Sequence, residues 1–510
     1  MISSGARARS FAAAHWPFLL LLLLGAALRA VTALGYRWTM WFPDSFEYIL
    51  GALDPEPHPA RPAGYSLFLW ALRPFHSFEL VVALQHLMGL GVAVMVYVLL
   101  RARFGLPGWG AALAAVPVLL DAYQVQLEHM VMSDTLFTLL LVGAVTVVMW
   151  RSVPRAGAAG LAGLLLALAA LTRSIALPLL VLLLLYLVVR GAGWRPVALA
   201  AVAAAVPLAL YATWFHSVHD RFAITNSGGI FLYSRAMAFA DCAKFEKPPP
   251  ARERVLCPVL PPEKRPASHF YIWAGRSALR SDKRLPPWFS AEQEKLARSF
   301  ALRAIRNQPG DYVATVWEEL RIGSSWTRPV FPDRKTYAYY EFGEVEKPLP
   351  NFAKADVPAY DAGRNRTRIV EPYAGFMRGY QDHVHMRGAM ITILLAVGLA
   401  GVVAGWRRRG GPALLPWSLA LAMAVVPAAT VLFDYRYQPP VVPPACVAAA
   451  LAVAGRTRWR EEEPPGAVTA RPGAPDGAPG SAAGTASHGD TATGGGTGGP
   501  MPDLSSRRPS

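Results

Sequence analysis

The first residues able to do chemistry follow an apolar block near the N-terminus, in the run Trp41-Phe-Pro-Asp-Ser-Phe-Glu-Tyr48. Pro43 suits the first turn of a helix, and residues four positions apart share one helical face. Asp44 and Tyr48 are therefore predicted to face the same way. A carboxylate at such a position can accept a proton from a hydroxyl group. It can also simply cap the helix, and the spacing alone leaves both interpretations open.

Three arginines lie in polar turns between apolar runs. The first begins Arg61-Pro-Ala-Gly-Tyr65, Arg173 interrupts a long apolar stretch, and the third lies in Asp434-Tyr-Arg-Tyr-Gln-Pro-Pro440. A guanidinium group offers a fork of donors that matches a phosphate. The alternative for each arginine is contact with lipid headgroups, and Tyr437 also fits an aromatic anchor at a membrane interface.

A second acidic turn reads Glu128-His-Met-Val-Met-Ser-Asp134. Asp134 can cap the helix that follows, but an acid such as Glu128 at the end of an apolar run is costly if it faces lipid. Arg29, within the first apolar block, either snorkels to the interface or pairs with an acid. His86 lies inside the second apolar run, where an interhelical hydrogen bond is the more ordinary role.

The elements that hold these residues are predicted to be membrane-spanning helices. Hydrophobic residues make up 53% of the 510-residue chain and charged residues 16%, whereas soluble domains carry about 25% charged residues. Apolar runs near the ~20 residues needed to cross a bilayer predict about ten spans. These are 11–33, 80–100, 109–127, 135–150, 156–171, 175–189, 196–215, 388–406, 413–433 and 439–455.

The distribution of arginines predicts the topology. Positive residues in short loops favour the cytoplasmic side. With ten spans and cytoplasmic termini, every short basic cluster falls on that side. These clusters contain Arg7 and Arg9, Arg101 and Arg103, Arg151 and Arg155, Arg190 and Arg195, Arg407 to Arg409, and Arg456, Arg458 and Arg460. This accounts for part of the net charge of +16 without nucleic acid, and it predicts a multi-pass protein of the cell membrane.

Four regions follow from this topology. Residues 1–215 form an N-terminal transmembrane region with outer loops, 216–387 a mainly α-helical extracytoplasmic domain, 388–455 a C-terminal transmembrane region, and 456–510 a disordered cytoplasmic tail. Cys242 and Cys257 both lie in the second region, where a disulfide is possible but not required by the sequence.

The order and side of the polar motifs resemble those of the GT-C glycosyltransferases that use polyprenyl-phosphate sugars. This group includes protein O-mannosyltransferases and lipid A aminoarabinose transferases. Pro43-Asp-Ser-x-x-Tyr48 resembles the acid-bearing first outer loop, and Arg61-Pro-x-Gly-Tyr65 resembles the segment after it. Glu128 and Asp134 resemble the second acidic element, and Arg436-Tyr-x-x-Pro440 resembles a motif before a late span.

The resemblance implies an all-α polytopic GT-C-like fold and a single inverting displacement on the extracytoplasmic side. Asp44 would be the general base, and Glu128 would position the acceptor or the base. Arg61 and Arg436 would stabilise the departing polyprenyl phosphate, with Arg173 as a weaker partner. Supporting roles would fall to Tyr48, Tyr65, His86, Asp134 and Tyr437.

Two departures from the family limit what is implied. Ser45 follows Asp44 where the protein mannosyltransferases have a second acid, so a protein acceptor is in doubt. There is no Asp-x-Asp pair like that of oligosaccharyltransferases, which disfavours a tightly held metal, although a divalent metal stays possible. No cofactor is expected beyond the lipid-linked sugar, which is a substrate. The sugar and the acceptor, whether protein, polysaccharide or lipid, are open.

Two other functions compete with this one. A transporter or flippase would place polar groups and broken helices near the membrane midplane, whereas these spans are apolar in the middle. A sensor or assembly protein would not need acids and arginines to converge. Asp44, Glu128 and Arg436 lining one cavity open to lipid would favour the enzyme, and Asp44 far from Glu128 would favour the sensor.

Overall fold

The computed structural model describes residues 4–361 and 366–455, with side chains from Ala14 onward. The predicted tail 456–510, including Arg456, Arg458 and Arg460, lies outside the described residues. Within them the chain is almost entirely helical and forms one compact unit. The N-terminal region contains α1 Ser4–Gly35, α2 Pro43–Leu53, α3 Gly64–Leu72, α4 Phe78–Val98, α5 Gly108–Leu120, α6 Ala122–Glu128, α7 Asp134–Met149, α8 Ala156–Thr172, α9 Ala176–Val189 and α10 Trp194–His219.

The remaining elements build the large polar segment and the C-terminal helices. They are α11 Gly228–Ala236, α12 Ala251–Arg254, α13 Phe270–Trp273, α14 Ala278–Ser281, α15 Ala291–Asn307, α16 Pro309–Gly323, α17 Arg334–Tyr337, α18 Asp356–Tyr360, α19 Tyr373–His383, α20 Gly388–Ala404, α21 Leu414–Thr430 and α22 Gln438–Val453. Two short strands, β1 Tyr36–Arg37 and β2 Arg368–Ile369, pair antiparallel. A π-helix covers Leu99–Arg103, and 3₁₀ turns cover Arg73–Phe75, Cys242–Lys244, Pro262–Lys264, Ala338–Tyr340, Asn351–Ala353, Trp406–Arg408 and Tyr435–Tyr437.

Each predicted span overlaps a helix, or for 109–127 a bent pair of helices, but these helices differ in length. Three of those described are long and apolar enough to cross a membrane alone, namely Ala14–Gly35, Phe78–Arg103 and Trp194–His219. Two more candidates are bent pairs, α5 with α6 at 56° and α19 with α20 at 52°. The helices α7, α8, α9 and α21 are apolar but shorter. Length and composition therefore support a membrane protein with three to five clear candidate spans, and not the full count of ten.

Three of the short basic loops, around residues 152, 190 and 408, lie together at one end of the helices. The guanidinium of Arg190 donates to the carbonyl of Arg408 at 3.0 Å and to that of Ser152 at 3.4 Å. Loops that are far apart in sequence thus meet at this end. We call this end the basic face, and the opposite end, where α8 finishes at Thr172, the cavity face.

The large polar segment packs on the cavity face. Its two longest helices, α15 and α16, follow each other directly, with Pro309 at the start of α16, and α15 packs on α11. Cys242 and Cys257 form a disulfide. Strand β2 ties the end of the segment to β1, directly after α1. The segment is therefore connected to the apolar helices at several points.

Candidate active site

A cavity of about 1630 Å³ opens on the cavity face. Its apolar wall comes from helices that continue into the hydrophobic core, with Leu177 and Pro178 of α9 and Met423 and Val426 of α21. We call the part formed by α2, the loop before α3 and the turn before α22 its polar floor, and further charged side chains line the cavity from the α8–α9 turn and the polar segment. A ligand that is apolar at one end and charged at the other fits this division.

Asp44 lies at the centre of the polar floor. One carboxylate oxygen is 2.9 Å from a terminal nitrogen of Arg61, and the other is 2.6 Å from a terminal nitrogen of Arg436. The three side chains are only 14–16% exposed. Burial by itself raises the pKa of Asp44, but the two guanidinium groups outweigh it and hold the pKa of this carboxyl below its usual value.

The start of α2 explains how Asp44 is presented. Pro43 occupies the first helical turn, as predicted, and the hydroxyl of Ser45 accepts a hydrogen bond from the backbone N–H of Phe42 at 3.0 Å. The N-cap residue is thus Phe42, and Asp44, in the first turn, is left to bind the arginines. The alternative in which Asp44 only caps the helix does not describe this structure. Tyr48, one turn later, also lines the cavity.

Arg61 is presented by a tight approach between α3 and α8. A Cβ atom at Gly64 would overlap the carbonyl of Leu171, so only glycine lets these backbones come this close. This contact brings Arg61 and the α8–α9 turn carrying Arg173 to the same cavity. The guanidinium carbon of Arg61 lies 5.6 Å from the Tyr48 ring centre and 5.4 Å from that of Trp273, so its cation is close to two aromatic rings.

The turn that carries Arg436 is fixed from the polar segment. The Asp434 carboxylate accepts from the backbone N–H of Arg436 at 3.3 Å, and Tyr340 donates its hydroxyl to the same carboxylate. Glu319 of α16 accepts from the backbone N–H of Phe433 at 2.6 Å and pairs with the fully buried Arg235 at 2.6 Å. The polar segment therefore sets the position of Arg436.

Glu47 is a site residue that the sequence motifs did not single out. Its carboxylate is 2.9 Å from Nε of Arg61 and 3.8 Å from His58, and it lines the cavity one turn after Asp44. Burial raises the pKa of Glu47, against the opposing effect of Arg61. Burial also lowers the pKa of His58 to about 4, so this imidazole is neutral at pH 7. Glu47 lies three positions after Asp44, and residues at this spacing share one helical face. The sequence could therefore have predicted Glu47 as a site residue.

Arg173 lines the cavity, whereas its acid partner does not. Its guanidinium forms an ion pair with Asp134, which is fully buried at the start of α7. It also lies 5.1 Å from the ring centre of Tyr437, another cavity residue. Asp134 is therefore placed to hold Arg173, and it has no direct access to a ligand.

Glu128 lies apart from the residues that line the cavity. Both its oxygens bind the Arg29 guanidinium, at 2.7 and 2.8 Å, and they also meet His86 at 3.0 Å and Gln124 at 2.9 Å. A Cβ atom at Gly89 would overlap this carboxylate, so α4 is shaped around it. Pairing of Arg29 with an acid and interhelical bonding by His86 are as the sequence indicated.

Tyr65 is likewise buried beneath the cavity. Its hydroxyl donates to Gln85 at 2.6 Å, and Gln85 donates to the carbonyls of Glu128 and Met130. Of the residues expected to act together, Asp44, Arg61, Arg173 and Arg436 line one cavity, together with Tyr48 and Tyr437. Glu128, Tyr65, His86 and Asp134 do not line it. Asp44 and Arg436 thus share a cavity that Glu128 does not line, so the arrangement of all three residues in one cavity, which would favour the enzyme over a sensor, is not found. The role predicted for Glu128 stays a prediction.

We expect Arg29→Ala to destabilise the protein by about 3–5 kcal/mol, because it leaves the fully buried Glu128 charge without its main partner. Thermal unfolding in detergent measures the effect. The matched control is Arg37→Ala, an exposed arginine just beyond the same helix, which should change the melting temperature little. An unchanged melting temperature for Arg29→Ala would contradict a structural role for the pair.

Among residues 4–361 and 366–455, no group of three or more His, Cys, Asp and Glu side chains is arranged to hold a metal ion. The acids on the cavity floor are instead bound to arginines, and Glu47 also to His58. The arrangement can bind an anion through guanidinium groups and can accept a proton at a carboxylate.

No model of a known protein family matches the chain, and no curated protein sequence matches it. Solved structures do match. The apo Archaeoglobus fulgidus oligosaccharyltransferase matches with a TM-score of 0.38 and 12% identity, over 86% of this chain and 50% of that chain. The oligosaccharyltransferase AglB from the same organism, in complex with an inhibitory peptide and a dolichol-phosphate, gives 0.38 and 12%, over 87% and 50%.

ArnT from Cupriavidus metallidurans bound to undecaprenyl phosphate matches with a TM-score of 0.34 and 15% identity, over 86% of this chain and 77% of that chain. This chain thus spans about half the length of the oligosaccharyltransferase. These matches agree with the predicted resemblance to GT-C glycosyltransferases. Because every TM-score is below 0.5, none of them carries the assignment of activity or of residues.

Proposed function

We propose that this chain is an integral membrane glycosyltransferase that moves a sugar from a polyprenyl-phosphate carrier to an extracytoplasmic acceptor, with inversion. The observation that carries the proposal is the junction of Asp44, Arg61 and Arg436 on the floor of a cavity whose wall is apolar. The arginines suit a phosphate, the carboxylate suits a hydroxyl proton, and the wall suits a prenyl chain.

The side of the reaction follows from the basic face. We propose ten spans with both termini in the cytoplasm, so that Arg190 and the loops it contacts lie inside and the cavity lies outside. The Cys242–Cys257 disulfide supports this orientation, because disulfides persist in oxidising compartments. In this arrangement residues 216–387 form the extracytoplasmic domain over the membrane.

The proposed reaction is one displacement at the anomeric carbon. The acceptor hydroxyl oxygen forms the new bond while its proton passes to Asp44. The bond from the anomeric carbon to the phosphate oxygen breaks, and its electron pair leaves with the polyprenyl phosphate. Arg61 and Arg436 stabilise the charge that grows on that phosphate, with Arg173 nearby on the same cavity. The backside attack gives inversion.

The remaining predicted residues take supporting roles in this proposal. Tyr48 and Tyr437 provide aromatic faces against Arg61 and Arg436, at 5.6 and 5.4 Å. Asp134 holds Arg173 in place. Glu128, with Arg29 and His86, supports the helices beneath the floor, which revises the direct role expected for Glu128.

The experiment is a transfer assay with the purified chain in liposomes. Polyprenyl phosphates that carry different labelled sugars are each supplied together with an envelope extract as acceptor. We expect one of these donors to be cleaved to free polyprenyl phosphate. Heat-denatured protein is the control. Movement of intact lipid-linked sugar across the bilayer without cleavage would contradict the proposal and support a flippase.

A further inference from the structure

The two oxygens of Asp44 occupy the donor edges that a phosphate would need. Each oxygen takes one terminal nitrogen, from Arg61 at 2.9 Å and from Arg436 at 2.6 Å. Both guanidinium groups line the cavity beside Asp44. A phosphate presents oxygens of the same charge and donor preference as a carboxylate. Asp44 and a phosphate therefore suit the same two nitrogens.

Carboxylates on the polar floor already contact both arginines, so they compete with a phosphate for the same donors. Three carboxylates, Asp44, Glu47 and Asp434, contact two guanidinium groups there. Both guanidinium groups are thus already paired with carboxylates, and Asp44 is the one that contacts a terminal nitrogen of each. Arg173, which lines the same cavity, is itself paired with Asp134. A phosphate that takes these same terminal nitrogens must replace Asp44 there, since two anions side by side are unfavourable in a partly desolvated site.

Asp44 is the carboxylate best placed to leave. Glu47 contacts Arg61 at Nε, 2.9 Å, and not at the terminal nitrogen that Asp44 uses. Asp434 is held by the backbone N–H of Arg436 and by the Tyr340 hydroxyl. Both can keep the arginines in position while the terminal nitrogens exchange Asp44 for another anion.

We propose that the donor phosphate binds by displacing Asp44 from Arg61 and Arg436, so that Asp44 is freed to accept a proton only after the donor has bound. This inference rests on the proposed function. It makes the order of binding compulsory, with the lipid-linked donor first. It also assigns Glu47 as a positioning residue that keeps Arg61 aimed at the phosphate.

The state of the carboxylate supports this sequence of events. While both arginines hold Asp44, its pKa lies below the usual value, and a carboxylate in that state is a weak base. Transfer of the arginines to the phosphate removes the interaction that lowers the pKa. The group becomes a stronger base at the step that needs one.

Binding of polyprenyl phosphate, the reaction product without sugar, tests the inference because it cannot turn over. Its affinity is measured for the wild-type chain, Asp44→Asn and Glu47→Gln in lipid nanodiscs. Each variant removes one negative charge beside Arg61 with little change in shape. We expect Asp44→Asn to bind roughly tenfold more tightly, because the competitor is gone. Glu47→Gln should bind no more tightly than wild type.

Asp44→Ala is the second variant, and thermal unfolding of each protein checks that it is folded. Tighter binding by either folded Asp44 variant, and not by Glu47→Gln, supports displacement. Equal or weaker binding by the folded Asp44 variants overturns it, and so does equal tightening by Glu47→Gln, which would reflect net charge alone. Absence of binding by the wild-type chain and all variants would instead remove the proposed function, and this inference with it.

Discussion

Asp44→Asn is expected to abolish sugar transfer while the protein stays folded and inserted. The substitution keeps the size of the side chain but removes the group that takes the acceptor proton. A positioned base contributes roughly 100- to 10,000-fold to rate, so the expected loss lies in that range. Release of polyprenyl phosphate from a labelled donor in reconstituted membranes gives the rate.

The chain offers a matched control ten positions further on. Asp54 ends the same helix, is exposed, and is not among the cavity residues. Asp54→Asn makes the same chemical change and should leave transfer near the wild-type rate. Retained transfer by Asp44→Asn, with normal thermal unfolding, would remove Asp44 as the base. Glu47, which lines the same cavity, would then become the residue to examine.

Arg436→Ala is expected to lower transfer by roughly 100-fold or more, the usual cost of removing one donor that stabilises a developing oxyanion. Arg436 reaches the cavity floor, and its guanidinium carries charge that a departing phosphate needs. The loss should appear both in the rate at saturating donor and in the dependence on donor concentration, because Arg436 is proposed to bind the phosphate before and during its departure, and the dependence on acceptor should change little. Steady-state rates at varied donor and varied acceptor separate the two.

Two further variants sharpen this result. Arg436→Lys keeps the charge without the fork of donors, and it should recover only part of the activity. Arg306→Ala removes an exposed arginine of α15 in the same polar segment, and it should behave as wild type. If Arg436→Ala raised the acceptor requirement and left donor use unchanged, Arg436 would belong to the acceptor side of the site.

Helix positions were largely predictable, because the length of an apolar run and the turn residues beside it are local properties of the chain. The helix beginning at Pro43 and the break around Arg173 lie where the sequence indicated. Membrane character follows from the same apolar runs. The span count was less secure, because α7, α8, α9 and α21 are too short to pass alone.

The sequence by itself determined which residues carry charge at the ends of apolar helices, and therefore the candidates Asp44, Arg61 and Arg436. Only the tertiary structure decided their partners, because ion pairs depend on which helix ends meet. Asp44 and Arg436 are 392 positions apart and share a hydrogen bond of 2.6 Å. The same packing pairs Arg29 with Glu128, and Glu128 does not line the cavity. The spacing of residues along the chain could not specify either result.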